Sequence, residues 1–332
     1  MPVGLIGSGC FVPPTVISNS TIAEWSGVEP GWIAARTGVE TRHYVTPGTT
    51  TSDLAVEAAR IALTGVDSDE LDQSGQSLGL IVVATSTPDQ PQPSTAAIVQ
   101  HKLGLTEVPA FDVNAVCCGF IYALAVAEAM LSARLPGQRG LVIGADIYST
   151  LMDRSDRRTV SLFGDGAGAV LLGQVPDGYG INAIHLATHG EHHDYVEVVA
   201  GGTRRPADDA ARQAGEHLFR MQGRPVRDYA LRTLPKVIGA ALDQAGLTLP
   251  EIDRFVFHQA NTRLVQACAR ELGLSADRVP LTAPQFGNTA AASIPMALHT
   301  EHRRRPFRRG ERLVLAGVGG GMTAGAVVLT WY

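Results

Sequence analysis

The chain has 332 residues, 45% of them hydrophobic and 18% charged, with a formal net charge of -5 and a pI near 6.1. That apolar content supports one large domain or two ordinary ones and excludes wholesale disorder. The mildly acidic balance excludes a general nucleic-acid binder.

The opening stretch MPVGLIGSGCFVPP is expected to be a first strand. It lacks the basic head of a signal peptide or lipoprotein leader, and Pro13 and Pro14 break it early. Helical patterning is predicted over Thr51–Thr64, and an apolar strand in LGLIVVATST (78–87). Helices at Ser94–Leu103 and Gly119–Ala133 follow, then strands in RGLVIGADIYS (139–149) and GAVLLGQV (168–175). The second half alternates in the same way. A helix over Val226–Ala245 precedes a strand in IDRFVFHQA (252–260), a helix over Thr262–Leu272, and strands in RLVLAGVGGG (312–321) and GAVVLTWY (325–332). This alternation predicts an α/β layered fold. No run is expected to reach the roughly 18 apolar residues of a membrane helix.

The order of elements is duplicated although residue identity between the halves is low. A strand ending VVATST, a helix, the stretch NAVCCGF opening another helix, GLVIGAD and GAGAVLLG make up the first set. FVFHQAN, a helix, GNTAAAS opening another, LVLAGVGGG and TAGAVVLT make up the second. The expected division is 1–175 for one half and 176–332 for a linker or cap plus the other half. The stretch from His189 to Arg227 is polar with little periodicity, which suits a cap or lining. HRRRPFRRGER (302–312) reads as a solvated helix end and turn.

The four cysteines are Cys10, Cys117, Cys118 and Cys268, with no framework spacing, so a reduced, cytoplasmic protein is expected. Cys117 and Cys118 sit where a strand turns into a long helix, and a helix N-terminus can stabilise a thiolate. His258 ends an apolar strand, Asn288 opens an Ala-rich helix, and GVGGGMTAG can bring backbone N–H groups close to a ligand. Singly, each has an ordinary explanation: a packed thiol, a structural imidazole, a cap, a turn. GEHHDY (190–195) places His192, His193 and Asp194 on a polar loop, where solvation explains them better than metal binding. GDGAGA leads into a strand and not a helix, so it is no nicotinamide site.

Seven ordered segments carry a resemblance: GWIAARTGVETRH (31–43), ATSTPDQPQPSTA (84–96), FDVNAVCCGF (111–120), LFGDGAGAVLL (162–172), FHQANTRLV (257–265), FGNTAAASIP (286–295) and GVGGGMTAGA (317–326). The chain resembles the β-ketoacyl-acyl carrier protein synthase III family of thiolase-superfamily condensing enzymes over nearly its full length. The resemblance implies a thiolase-like duplicated five-layer αβαβα sandwich and a homodimer. It places the nucleophile at Cys117 and leaves Cys118 in a slot held by a small packing residue. His258 and Asn288 would donate to an enolate oxygen, and the N–H groups of Cys117 and Gly320 would form an oxyanion hole. The implied reaction acylates Cys117 and joins the acyl group to a malonyl thioester with loss of CO2.

No permanent cofactor or metal is implied. Coenzyme A or phosphopantetheine thioesters are the substrates, and an acyl carrier protein is the expected partner, with no nucleic acid or membrane. Trp32 would stack on adenine with Arg157 on its other face, Arg158 being the alternative. Arg36 would meet phosphate, Asn261 and Arg263 the pantetheine tunnel entrance, and Phe163 the active-site channel. Arg227 stands where the family commonly has an aromatic residue, which points toward a specialised-metabolism enzyme. Three alternatives stay open: acyl transfer from Cys117 to an alcohol or amine without decarboxylation, a non-catalytic partner subunit, and a hydroxymethylglutaryl-type synthase with Asp89 as base.

Overall fold

The structure is a computed structural model and describes residues 1–64 and 78–332. The strand-type runs of the first half assemble into one sheet and those of the second half into another. β1 (Val3–Phe11) is followed by a small hairpin of β2 (Thr15–Ser18) and β3 (Thr41–Tyr44), between which lie α1 (Asn19–Ser26) and α2 (Pro30–Thr37). After α3 (Thr51–Thr64) come β4 (Leu78–Ala84), α4 (Thr95–Lys102), β5 (Ala110–Val113), α5 (Gly119–Ala133), β6 (Arg139–Asp146) and β7 (Gly166–Gln174). The first sheet has the order β1-β7-β6-β4-β5. β4 runs parallel to β5 and β6, while β7 is antiparallel to β1 and β6.

The second half opens with β8 (Gly180–Thr188), then a small ladder of β9 (Val196–Val198) and β10 (Phe219–Met221). α6 (Gly223–Ala245), β11 (Arg254–Phe257), α7 (Thr262–Glu271), α8 (Ser293–Arg304), β12 (Arg312–Gly319) and β13 (Thr323–Thr330) follow. Here the order is β11-β12-β13-β8.

Apolar faces dictate the layering. α5 is apolar nearly all round, and such a helix seeks burial; its Gly119–Leu124 end, Ala127 and Leu131 are largely buried, while Val126 stays exposed. It lies with α8 between the two sheets, where Phe120, Leu124, Ile294 and Leu298 meet Val82 and Val142 of one sheet and Leu315 and Val327 of the other. α3 and α4 cover the outer face of the first sheet, and α6 and α7 that of the second. The result is the five-layer αβαβα sandwich.

Two expectations need correction. The segment Val116–Ala133 does reach 18 residues with a mean hydropathy of 1.8, long and apolar enough by composition to cross a membrane. Its place between the sheets accounts for that apolarity. β8 carried no sequence signal, because Asn182, His185 and Thr188 interrupt it and its exposure is mixed along the strand. The basic stretch 302–312 behaves as a helix end and turn: Arg304 pairs with Glu301 at 2.9 Å, Arg312 with Glu251 at 2.9 Å, and Arg309 lies over Tyr332.

The duplication extends to backbone detail. Val116 and Ala290 have φ of 49° and 47°, a left-handed conformation that costs a non-glycine residue about 1–2 kcal/mol. In each case an asparagine two residues earlier holds the turn. The Val116 N–H donates to Asn114 Oδ1 at 3.1 Å, and the Ala290 N–H to Asn288 Oδ1 at 2.9 Å. Each turn continues as one 3₁₀ turn (Val116–Cys118, Ala290–Ala292) into a central helix. Cys117 and Ala291 therefore occupy equivalent positions.

Candidate active site

The Cys117 turn packs against the second half. Gly119 lies where an added Cβ would stand 3.6 Å from the Ala291 Cβ. The turn between β12 and β13 lies against it from another side. A Cβ on Gly319 would fall 2.6 Å from the Cys118 nitrogen, and one on Gly320 would fall 3.3 Å from Val116 Cγ2. Thr323 Oγ1 ties the two turns together by donating to the Ala115 carbonyl at 3.1 Å. The glycine run thus lets backbone approach backbone beside Cys117, as close packing without Cβ atoms permits.

Cys117 is 9% exposed. Burial and then the nearby Asp146 charge push its thiol well above the ordinary range. Cys117 sits one residue before the α5 N-cap, Cys118, and desolvation is the largest influence on its thiol, acting against the thiolate that a helix terminus favours. Cys118 is fully buried, with Sγ 3.5 Å from the Gly317 carbonyl, in keeping with a packing residue.

His258 follows β11 directly and is 7% exposed. An added Cβ on Gly317 would be 3.1 Å from the His258 Cβ, so Gly317 separates His258 from Cys118 by one residue's thickness. Burial pushes the imidazole down to about 4, leaving it neutral at pH 7. Its Nδ1 lies 2.6 Å from Ser293 Oγ, which also accepts the Gln259 N–H at 3.3 Å. The hydroxyl oxygen can accept the Gln259 N–H while its one proton is donated to Nδ1, and in that arrangement Nε2 carries the ring hydrogen and is a donor.

Asn288 is buried, and its side-chain oxygen is engaged by Ala290, which frees the NH2 group as a donor. It does not cap α8, whose N-cap is Ala292, but precedes the Thr289 N-cap of the 3₁₀ turn and accepts the Ala290 N–H there. Its backbone bridges to the Phe163 strand end: Asn288 N–H donates to the Leu162 carbonyl at 2.8 Å and Gly164 N–H to the Asn288 carbonyl at 3.0 Å. Phe163 is buried, stacked on Tyr148 at 4.6 Å and meeting Phe219 edge-on at 4.9 Å, in the same apolar cluster as Cys117 and Val116.

Asn288 also lines the inner part of a cavity of about 980 Å³ whose walls include Trp32, Arg36, Arg158, Asn261 and Arg263. A cavity of this size holds a large ligand. Asn261 caps α7 by accepting the Leu264 N–H at 2.9 Å, and Arg263 Nε donates to the Ala35 carbonyl at 3.2 Å. Arg157 lies over the Trp32 ring itself, 5.4 Å from its centre, while its neighbour Arg158 lines the cavity. A flat ring between Trp32 and Arg157 needs about 7 Å for two stacking layers, so that slot requires Arg157 to swing outward. Arg227 lines the same cavity and pairs with Asp228 at 3.4 Å.

Other candidates fall away. Asp89 accepts from the Ser52 backbone N–H at 2.8 Å and hydroxyl at 2.6 Å at the start of α3, so its carboxylate is committed there. His192 stacks on Tyr195 and His193 approaches the Gly190 carbonyl. Among the described residues no cluster of three His, Cys, Asp or Glu side chains is arranged to hold a metal ion. All four cysteines are free. Sequence reasoning missed Ser293 as the partner of His258, although it closes the quoted segment GNTAAAS.

Comparison with known proteins places the chain in a family. Residues 111–190 match the family model for 3-oxoacyl-[acyl-carrier-protein (ACP)] synthase III, and residues 242–331 match its C-terminal model. The chain is 43% identical to acetoacetyl CoA synthase of Streptomyces sp. strain CL190 over 331 residues, covering 98% of each. The chain belongs to the β-ketoacyl-acyl carrier protein synthase III family. The synthase III of Neisseria meningitidis serogroup C is 44% identical over 329 residues, again covering 98% of each. The solved synthase III of Thermus thermophilus superposes with a TM-score of 0.90 at 36% identity, covering 99% of both chains. The duplicated sandwich described above is thus the thiolase-like fold of this synthase III family.

Proposed function

We propose that this synthase III relative joins an acyl group, carried as a thioester on Cys117, to a malonyl thioester by decarboxylative Claisen condensation. The observation that carries the reading is the pair of neutral donors. His258 is kept neutral by burial, with Nε2 the donor when Ser293 donates to Nδ1, and Asn288 has its amide oriented by the Ala290 N–H. Neutral donors in a dry site stabilise a negative charge that develops only during reaction.

In the first half-reaction Cys117 Sγ attacks the acyl thioester. The Cys117 S–C bond forms, the bond to coenzyme A sulfur breaks, and the thiol proton ends on the released thiol. Because burial raises the Cys117 thiol above its ordinary range, that proton leaves in step with the attack. Backbone N–H groups of Cys117 and Gly320 hold the oxyanion. In the second half-reaction the malonyl C–C bond breaks to release CO2, and the electron pair spreads onto the thioester oxygen, facing His258 and Asn288. The carbanion attacks the acyl-enzyme. Cys117 leaves as thiolate and takes up a proton, and the β-ketoacyl thioester departs.

Trp32, Arg36, Arg157 and Arg158 suit the adenine and phosphates of coenzyme A, and Asn261 and Arg263 suit the pantetheine arm. The Neisseria relative is named for an acyl carrier protein product and the Streptomyces relative for a coenzyme A product. Both support a pantetheine thioester as substrate here, with an acyl carrier protein as partner. Incubation with acyl and malonyl thioesters should release CO2 and leave the acyl mass on Cys117. Ester or amide formation without CO2 would overturn condensation, and unchanged turnover by Cys117→Ala would overturn the acyl-enzyme.

A further inference from the structure

Asp146 ends β6 with its carboxylate wholly buried. It accepts six hydrogen bonds: from Thr85 Oγ1, Ser86 N and Oγ, Thr87 N and Oγ1, and Ala291 N, at 2.8–3.2 Å. All six partners are neutral. A buried charge is tolerated when it is fully hydrogen-bonded, but this one also links three segments: the end of β6, the turn after β4 and the Ala290–Ala292 turn.

The duplication gives this contact its meaning. The Ala291 N–H is the counterpart of the Cys117 N–H, since both follow an asparagine-held left-handed residue. Asp146 is the last residue of eight-residue β6, and Gly319 is the last residue of eight-residue β12. Thr85 follows β4 as His258 follows β11. One half therefore sets a carboxylate against its turn, where the other sets a glycine with no side chain.

We infer that Asp146 is a positioning residue. Its carboxylate fills, at the Asn288 turn, the anion cradle whose twin at the Cys117 turn is left open for the substrate oxygen, and it thereby fixes Asn288. The inference rests on the condensation reading above. Ala290 is strained, and its conformation is held from two adjacent amides: its own N–H by Asn288 and the next by Asp146. Release of the Ala291 amide frees the turn to relax, and the Asn288 carboxamide moves with it. Asp146 also bears electrostatically on Cys117 and on Tyr148, which share the buried surroundings.

Asp146→Asn tests this with acetyl-CoA and malonyl-CoA as probes. Acyl loading of Cys117, read by intact mass, should stay within a few-fold of the parent. Condensation should fall up to about a hundredfold, the scale of a misplaced catalytic group. The pH profile of Cys117 alkylation should move to lower pH as a nearby negative charge is removed. Parental rates in both half-reactions overturn the inference. So do equal losses in both with an unmoved alkylation profile, which mark a purely structural role. If the variant does not fold, Ser86→Ala removes one donor and keeps the charge. Spared loading with reduced condensation is expected there, and equal losses overturn it. Absence of CO2 release by the unaltered protein sinks the condensation reading itself. CO2 release with a silent Asp146→Asn sinks only this inference.

Discussion

Ser293 Oγ stands 2.6 Å from Nδ1 of His258, and when that hydroxyl donates, Nε2 of the buried imidazole carries the hydrogen. Ser293 opens α8, and His258 closes the strand that α8 packs against, so the contact joins two elements that the fold already presses together. Ser293→Ala leaves Nδ1 without its donor and the Gln259 N–H without its acceptor. Malonyl decarboxylation should slow about tenfold, the cost of one neutral hydrogen bond, with acyl loading of Cys117 little changed. Separate assays of the two half-reactions check this; an equal slowing of both contradicts the assigned tautomer.

Burial of His258 also sets a pH dependence of stability. Its folded value is about 4 against an ordinary 6.5. Between those values the unfolded chain binds a proton that the folded chain refuses. The stability contributed by the neutral imidazole is complete above pH 6.5 and is lost as pH falls toward 4. Asp165 acts in the opposite sense. Burial raises it from 3.8 to about 6, so its contribution is present at low pH and lost as pH rises through that window. Comparison with His258→Gln isolates the histidine. The difference in Tm between parent and variant should shrink as pH drops from 6.5 to 4, and a constant difference contradicts a neutral buried His258.

Trp32 lies in the cavity wall with Arg36 and Arg157 over its ring. Stacking of a base on an aromatic ring is worth about 1–3 kcal/mol. Trp32→Ala should therefore raise KM for acyl-CoA about 5- to 100-fold and leave kcat nearly unchanged, the pattern of lost uniform binding. A substrate borne on a carrier protein has no adenine, and its KM should not move. An unchanged KM for acyl-CoA would remove the adenine assignment.

The candidate site residues were legible because each sits at a punctuation point that sequence marks clearly. The paired cysteines interrupt small residues before an apolar helix, His258 ends an apolar run, and the glycines of 317–321 follow one. The α/β layering was legible as alternating periodicities, and the count of five layers came from the family resemblance. β8 was not, since Asn182, His185 and Thr188 break its apolar pattern and pairing to β13 supplies the order that composition does not. The partner of His258 was hidden because Ser293 lies 35 residues away and reads as an ordinary helix start. Asp146 was hidden inside GLVIGAD as a strand end, since its partners come from three separate segments. The upward shift of the Cys117 thiol depends on burial by distant segments, which local sequence does not encode.

Gly319 tests how closely the two halves must meet. Its missing side chain is required by space: a Cβ there would lie 2.6 Å from the Cys118 nitrogen and 2.7 Å from the Ala115 oxygen. Both are backbone atoms of the Cys117 turn and cannot rotate aside. Gly319→Ala must push that turn away from the β12–β13 hairpin, at a cost of about 1–3 kcal/mol for overpacking. The same displacement moves the Cys117 N–H away from that of Gly320, so acyl loading should fall along with Tm. Gly202→Ala is the control, because nothing lies within 4 Å of its added Cβ. Thermal melting and intact-mass acylation of both variants check the expectation. If Gly319→Ala melts and loads like the parent, the hairpin does not fix the Cys117 turn.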